Sequence, residues 1–296
     1  MPAPATQSTP TEFLSELREQ FTGGNETPID AAQAERILTD IGLSTDDLLA
    51  IGALPRERHF GRGVQLHILN NVRNGHCPED CGYCAQRKVG PQQDQVDGKL
   101  TSVDEEAGQP IASYPAKSEE EILEEARVAY ESGAFRYCMV TAGRGPNAKS
   151  IERFADLIRK IKKEYPPLQI CLSAGLVTRP EFARKLAEAG LDRYNHNLNT
   201  SEEHYKEICS THDYHHRVET LETMNAAGIS LCSGVIAGMG ESPADLIEVA
   251  LDLSERDVPS IPVNFFIPVP GHALKNVTPM TADYGLRILT MFRLTN

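Results

Sequence analysis

Short β-rich runs alternate with amphipathic helical segments along most of this chain, and that rhythm restricts the fold more than any other feature. The apolar runs Val64–Asn70, Phe135–Thr141, Leu168–Ser173, Arg193–Leu198, Ser230–Ala237 and Ile261–Ile267 read as strands. Helical periodicity occupies Ser118–Ser132, Ser150–Lys163, Arg179–Ala189, Glu203–Cys209, Tyr214–Ala227, Ser242–Arg256 and Thr281–Leu294. Ser118 is the expected N-cap of the first of these, with Glu121 as its capping-box partner. Strict alternation implies parallel strands joined by right-handed crossovers. The expected fold is therefore α/β, a TIM-type (β/α) barrel of about six of the usual eight units. An open doubly wound sheet is the alternative, but no G-x-G-x-x-G follows the first strand, which argues against a dinucleotide-binding version.

Before the first strand, Thr11–Phe21, Asp30–Ile41 and Ser44–Ile51 carry helical apolar spacing. Residues 1–10 are rich in Pro, Ser and Thr and read as a disordered tail. The expected organisation is a tail over 1–10, a helical extension over 11–55 and a barrel domain over 56–296. Residues 91–118 are polar, with Gly and Pro, and read as a long excursion. The chain stops at Asn296 directly after a helix, so a closed eight-fold barrel needs further strands.

The loop after the first strand carries the chemistry. His76-Cys77-Pro78-Glu79-Asp80-Cys81-Gly82-Tyr83-Cys84 holds three cysteines in C-x3-C-x2-C spacing. A structural zinc centre closes with four ligands. Three thiolates on a cubane iron–sulfur cluster leave one iron open, which is useful only for catalysis. A zinc knuckle that borrows a distant ligand such as His76 is the simpler alternative, yet no second Cys or His pair stands at zinc-finger spacing. Cys138, Cys171 and Cys232 lie in the second, third and fifth strand runs. Barrel strands alternate inward and outward positions, so all three can point inward at similar height and hold a second cluster. Lone cysteines also simply pack in cores, and Cys209, on a helical segment, reads that way.

Three asparagines, Asn195, Asn197 and Asn199, alternate along Tyr194–Ser201 and share one face. A ligand with ribose hydroxyls or a urea-like group would satisfy such amides, although a turn and N-cap cluster explains Asn199 or Thr200 equally well. Gly234-Val235-Ile236-Ala237-Gly238-Met239-Gly240-Glu241 is either a backbone cradle for a ligand or a tight turn. Arg217 offers a carboxylate clamp or an ordinary solvated side chain. Asn264 interrupts the apolar run Ile261–Phe266 where a core side chain is expected, so it needs a partner.

Net charge is −13, which disfavours nucleic acid and anionic membranes as partners. No apolar run is long enough for a membrane helix and the N-terminus lacks signal-peptide character. A cytoplasmic location follows as an expectation, and there seven cysteines suit metal ligation or packing better than disulfides.

C-x3-C-x2-C with Tyr83 before its last cysteine resembles the radical S-adenosylmethionine (SAM) superfamily. Asn74–Cys84, Tyr137-Cys138-Met139, Tyr194–Leu198, Cys232-Ser233-Gly234 with Gly238 and Glu241, and Ile261–Asn264 together resemble the biotin synthase family, from about residue 40 onward. That resemblance implies a 4Fe–4S cluster on Cys77, Cys81 and Cys84, and a 2Fe–2S cluster on Cys138, Cys171 and Cys232. It implies SAM contacts from Tyr83, Asn197, Asn199, Arg217 and Ile236, and dethiobiotin contacts from Asn195, Asn197 and Asn264. A flavodoxin- or ferredoxin-type electron donor and a homodimer are further implications. Two departures stand out: the family usually has Asp in place of Asn199, and its arginine ligand of the second cluster lies on a seventh strand that this chain does not include. The resemblance thus predicts a C-terminally truncated sulfurtransferase with a weakened second cluster. Another radical SAM enzyme, a mutase or maturation enzyme, would not need the Cys138/Cys171/Cys232 set. A zinc-stabilised binding protein would be colourless and free of sulfide.

Overall fold

The computed structural model describes residues 8–23, 26–75, 77–87, 114–268, 273–274, 277 and 279–296. His76, the first residues of the expected N-terminal tail and most of the excursion at 91–118 lie outside the described residues. In chain order the elements are α1 (Pro10–Thr22), α2 (Ala31–Thr39), α3 (Thr45–Phe60), β1 (His67–Arg73), α4 (Glu119–Glu131), β2 (Arg136–Thr141), α5 (Ala148–Glu164), β3 (Gln169–Ser173), α6 (Pro180–Glu188), β4 (Arg193–Asn195), α7 (Glu202–Ile208), α8 (Tyr214–Ala226), β5 (Ser230–Cys232), β6 (Val235–Ala237), α9 (Pro243–Glu255), β7 (Val263–Phe265) and α10 (Ala282–Thr295). They fall into two compact units. One comprises residues 1–63, 242–256 and 280–296, the other 64–241 and 257–279.

The first unit is helical. α2 caps with Asp30 and α3 with Ser44, each side chain accepting from a backbone N–H of the first turn. α3 runs past its expected end at Ile51, through Gly52 and Pro55, because Ile51 and Pro55 are buried in packing against α1 and α10. Tertiary burial there outweighs the local helix-breaking preference. Arg287 of α10 is buried and donates to the carbonyls of Ile37, Asp40 and Leu43, which satisfies the C-terminal carbonyls of α2 and the turn after it.

The second unit carries a parallel sheet in the order β1-β2-β3-β4-β5, with β6 and β7 pairing in parallel beyond it. The Ser230–Ala237 run is therefore two strands, interrupted at Ser233-Gly234. The interruption has a steric cause: the ladder bond from the Val235 N–H to the Pro262 carbonyl brings the two backbones so close that a Cβ on Gly234 would lie 1.9 Å from the Pro262 oxygen. The Leu66 end of the first run also differs from expectation. β1 begins at His67 and extends to Arg73, so the cysteine loop starts later than the apolar pattern suggested.

Side-chain alternation is settled by one contact. The Tyr137 hydroxyl donates to the Ile122 carbonyl of α4, so Tyr137 and Met139 face the helices and are fully buried. Ile170 and Leu172 of β3 and Tyr194 of β4 follow in register on the same face. Each such side chain contributes about 2 kcal/mol by leaving water. The opposite face carries Cys138, Cys171, Arg193, Asn195 and Cys232. The capping box of α4 between Ser118 and Glu121 forms as expected. Among the described residues no helix is long and apolar enough to cross a membrane.

Gly234→Ala is expected to destabilise the protein by about 3 kcal/mol through overpacking at Pro262. The check is the shift of the thermal or urea unfolding midpoint, and a shift within about 0.5 kcal/mol of the parent would contradict the contact.

Candidate active site

Every β-strand of the second unit runs the same way, so the loops after β1, β2, β3 and β4 gather at one end of the sheet, where sites form in folds of this type. A cavity of about 270 Å³ opens there. Cys77, Cys81, Cys84 and Tyr83 line it from the cysteine loop, Asn195 and Asn197 from the end of β4, Asn199 from the following loop, Ile236 from β6 and Arg217 from α8. Nine of the residues singled out in the sequence thus meet at one place.

The cysteine loop is pinned to the turn between α7 and α8. Asp80 accepts from the Ser210 and Thr211 N–H groups at 3.0 and 3.2 Å, and from both of their hydroxyls. Burial opposes its charge, but these bonds prevail and hold its carboxyl far below the usual range. The Gly82 N–H donates to the Ile208 carbonyl at 2.7 Å. Cys84 and Cys77 are pushed up in pKa by burial. Such thiols ionise when a cation binds, as cluster ligands must. All seven cysteines are free.

Arg217 departs from the solvated default. It is buried and fans its donors to the Tyr205 and Tyr83 hydroxyls, the Asn197 carbonyl and His212 Nε2. Burial works against its charge, yet Tyr83 and Tyr205 hold its pKa above the ordinary value. Asn199 donates to the Tyr83 hydroxyl at 2.6 Å and sits at φ 75°, a left-handed conformation that Asn tolerates better than most side chains. His196 also lines the cavity. Its buried Nε2 has no hydrogen-bond partner, and burial drives its pKa well below the ordinary value. A neutral imidazole with an unsatisfied nitrogen in a polar cavity fits a bound polar ligand.

Cys138 and Cys171 stand side by side in register. Cys232 is one pleat further along its strand than the register row of Cys171, Arg193 and Ser230. Asn195, its register partner, donates to its sulfur at 3.2 Å. Asn195 thereby links the cysteine trio to the cavity. Arg193 points to the same face; burial first, then the neighbouring Arg136, lower its pKa. The donor set, three thiols around two guanidinium groups, suits an anionic thiolate-bound cluster. The glycine-rich exit is chiefly a turn: the Gly238 and Met239 N–H groups both donate to Glu241, and only Ile236 reaches the cavity.

Two expectations need correction. Asn264 does not occupy a core position; it is exposed, and its amide donates to the Val235 carbonyl. β7 has a partner on one side only among the described residues, so its apolar run is not enclosed. Cys209 is no ordinary packed cysteine. It caps the C-terminal end of α7, with its sulfur 3.8 Å from that of Cys81 and 3.3 Å from His212 Nδ1. Its thiol is lowered to about 4, first by the Cys81 hydrogen bond, while that bond and burial push Cys81 up. His212 and Glu79 were missed as well, and their Nδ1–Oε2 contact is 2.6 Å. The only sequence signal was the Cys209-x-x-His212 spacing.

Asp80→Ala is expected to speed amide exchange at Ser210 and Thr211 about tenfold. Folding lowers this carboxyl's pKa, so its contribution is present above about pH 4 and fades as pH falls further into acid. Exchange rates unchanged by the substitution at pH 7 would refute the pinning.

Known proteins share this chain's sequence and fold. A sequence profile of the Radical SAM superfamily matches residues 72–253. A biotin synthase of Magnetococcus marinus is 49% identical over 267 residues, 90% of this chain and 77% of the relative. One from Leptospira interrogans is 52% identical over 241 residues, covering 81% of this chain and 63% of the relative. One from Leptospira biflexa is 46% identical over 285 residues, covering 96% of this chain and 75% of the relative. In fold alone, the chain is similar to methylornithine synthase, with TM-score 0.76, 20% identity and coverage of 94% of this chain and 76% of that one. The hydrogenase maturase HydG of Carboxydothermus hydrogenoformans gives TM-score 0.75 at 18% identity, covering 97% of this chain and 64% of that one. On its matched span and its identity to these relatives, the chain belongs to the biotin synthase family of the radical SAM superfamily.

Proposed function

We propose that this chain is a radical SAM sulfurtransferase that inserts sulfur into dethiobiotin to form biotin. The observation that carries the reading is one cavity shared by the C-x3-C-x2-C loop and the asparagine strand, with Asn195 bridging from it to Cys232.

Cys77, Cys81 and Cys84 hold the 4Fe–4S cluster, and Cys138, Cys171 and Cys232 the 2Fe–2S cluster. When bound, the first cluster supplies the electron that cleaves SAM to a 5′-deoxyadenosyl radical, and the second supplies the sulfur. The protein's own part is to bind, orient and exclude water. Tyr83, Asn197, Asn199 and Ile236 surround SAM, and Arg217 gives its carboxylate a fixed positive charge. Because Arg217 is already held by four partners, it is preorganised and does not reorient when the ligand arrives. Asn195 and Asn197 present amides to the ureido ring of dethiobiotin. Asn264, the register partner of Ile236, completes that contact. Enclosure in the cavity would keep a carbon radical from water. The 11–55 helices serve as an extension to a barrel domain over 56–296. A flavodoxin- or ferredoxin-type donor, a homodimer and a cytoplasmic location complete the reading.

Anaerobic reconstitution with iron and sulfide tests it. About four irons per chain are expected on the first cluster and up to two more on the weakened second, with Cys171→Ser retaining about four and Cys77→Ala at most about two. No acid-labile sulfide taken up by the zinc-free, chelator-stripped chain would sink the reading.

A further inference from the structure

The pocket behind the cysteine loop holds a second set of metal-binding groups. Cys81, Cys209 and His212 are all buried, and one ligand atom from each lies within 4.8 Å of the others. Their spacing is that of a coordination sphere. Two thiolates on one tetrahedral zinc stand about 3.8 Å apart, and a thiolate and an imidazole nitrogen about 3.5 Å. The two sulfurs here are 3.8 Å apart, and Cys209 Sγ is 3.3 Å from His212 Nδ1. Glu79 Oε2, 2.6 Å from the same nitrogen, accepts its proton in the metal-free chain and lies outside this set, which leaves the fourth position to water. The supporting contacts are also present. The Tyr205 hydroxyl is 2.9 Å from His212 Nε2 and can accept its proton when Nδ1 turns to a metal.

An entry path exists. A second hollow, about 470 Å³, is lined by Cys209 and His212 but not by Cys77 or Cys84. The Cys209–His212 pair is thus a partition between it and the cavity of the cysteine loop, which His212 also lines.

We propose that, in the cluster-free chain, Cys81, Cys209 and His212 bind one divalent metal of the zinc class, with water as the fourth ligand, entering from this second hollow. Binding releases the two thiol protons and shifts the imidazole proton from Nδ1 to Nε2, where the Tyr205 hydroxyl accepts it and the Arg217 contact to Nε2 is given up, with no change of oxidation state. Two thiolates against a divalent ion leave the site neutral. The site goes beyond the proposed sulfur chemistry and stands without it. One consequence does rest on that reading: Cys81 cannot serve both metals, so zinc here and the 4Fe–4S cluster exclude each other.

The test is anaerobic titration of the reduced, chelator-stripped full chain with cobalt(II). One cobalt per chain is expected, with a thiolate-to-metal charge-transfer band and tetrahedral ligand-field bands. Cys209→Ser and His212→Ala should each weaken binding at least about tenfold, whereas Cys77→Ser and Cys84→Ser should leave it unchanged. Circular dichroism confirms that each variant is folded, and either of the first two suffices if the other is not. A six-coordinate spectrum without charge transfer, binding that survives both Cys209→Ser and His212→Ala, or binding lost with Cys77→Ser would overturn the site. Zinc preloading should slow iron and sulfide uptake in the parent but not in Cys209→Ser. Equal slowing in both would remove the exclusion, while the cobalt result stands on its own.

Discussion

Parallel pairing from β1 through β5 is the constraint on which the site depends. Because each strand leaves the sheet at the same end, residues more than one hundred positions apart in sequence share one cavity there. Period-two alternation then divides the side chains. Tyr137, Met139, Ile170, Leu172 and Tyr194 take the helix-facing side and supply the apolar burial. The chemistry-bearing set of Cys138, Cys171, Arg193, Asn195 and Cys232 takes the other. A slip of one residue in any ladder would exchange the two sets, so core packing and site assembly enforce the same register.

The loop that follows β1 has little apolar content of its own, and its order comes from polar contacts with the α7–α8 turn. Asp80 satisfies backbone and hydroxyl donors of that turn, while Glu79 accepts from Thr211 and pairs with His212. Arg217 ties the same turn to Tyr83 and to the backbone at Asn197. The three cysteines are therefore positioned by a hydrogen-bonded belt rather than by packing. Such a belt leaves room beside the thiols, which a close-packed core would not.

Much of this was legible from residue patterns. The strand–helix alternation gave the fold class, and C-x3-C-x2-C gave the character of the site, because both depend on local spacing. The parts that were not legible share a physical cause. Helix α3 continues through Pro55 because burial outweighs propensity, and the fifth run breaks at Gly234 because a neighbouring strand approaches from far along the chain. Residue patterns left Arg217 open between a carboxylate clamp and a solvated side chain, since its partners Tyr83, Tyr205, Asn197 and His212 are distant in sequence. Asn264 read as buried because an apolar run carries no information about whether a further strand covers it.

By itself the sequence determined which residues carry the chemistry: three spaced thiols, three alternating asparagines and a further cysteine on each of three strands. Spacing within a loop or strand fixes such sets, since backbone geometry is local. Only the tertiary structure decided who their neighbours are. It placed Cys209 against Cys81, buried Arg217 beneath Tyr83 and set Asn195 between the cavity and Cys232. Those distances depend on sheet register and helix placement, which are set by burial summed over the whole unit rather than by any local run of residues.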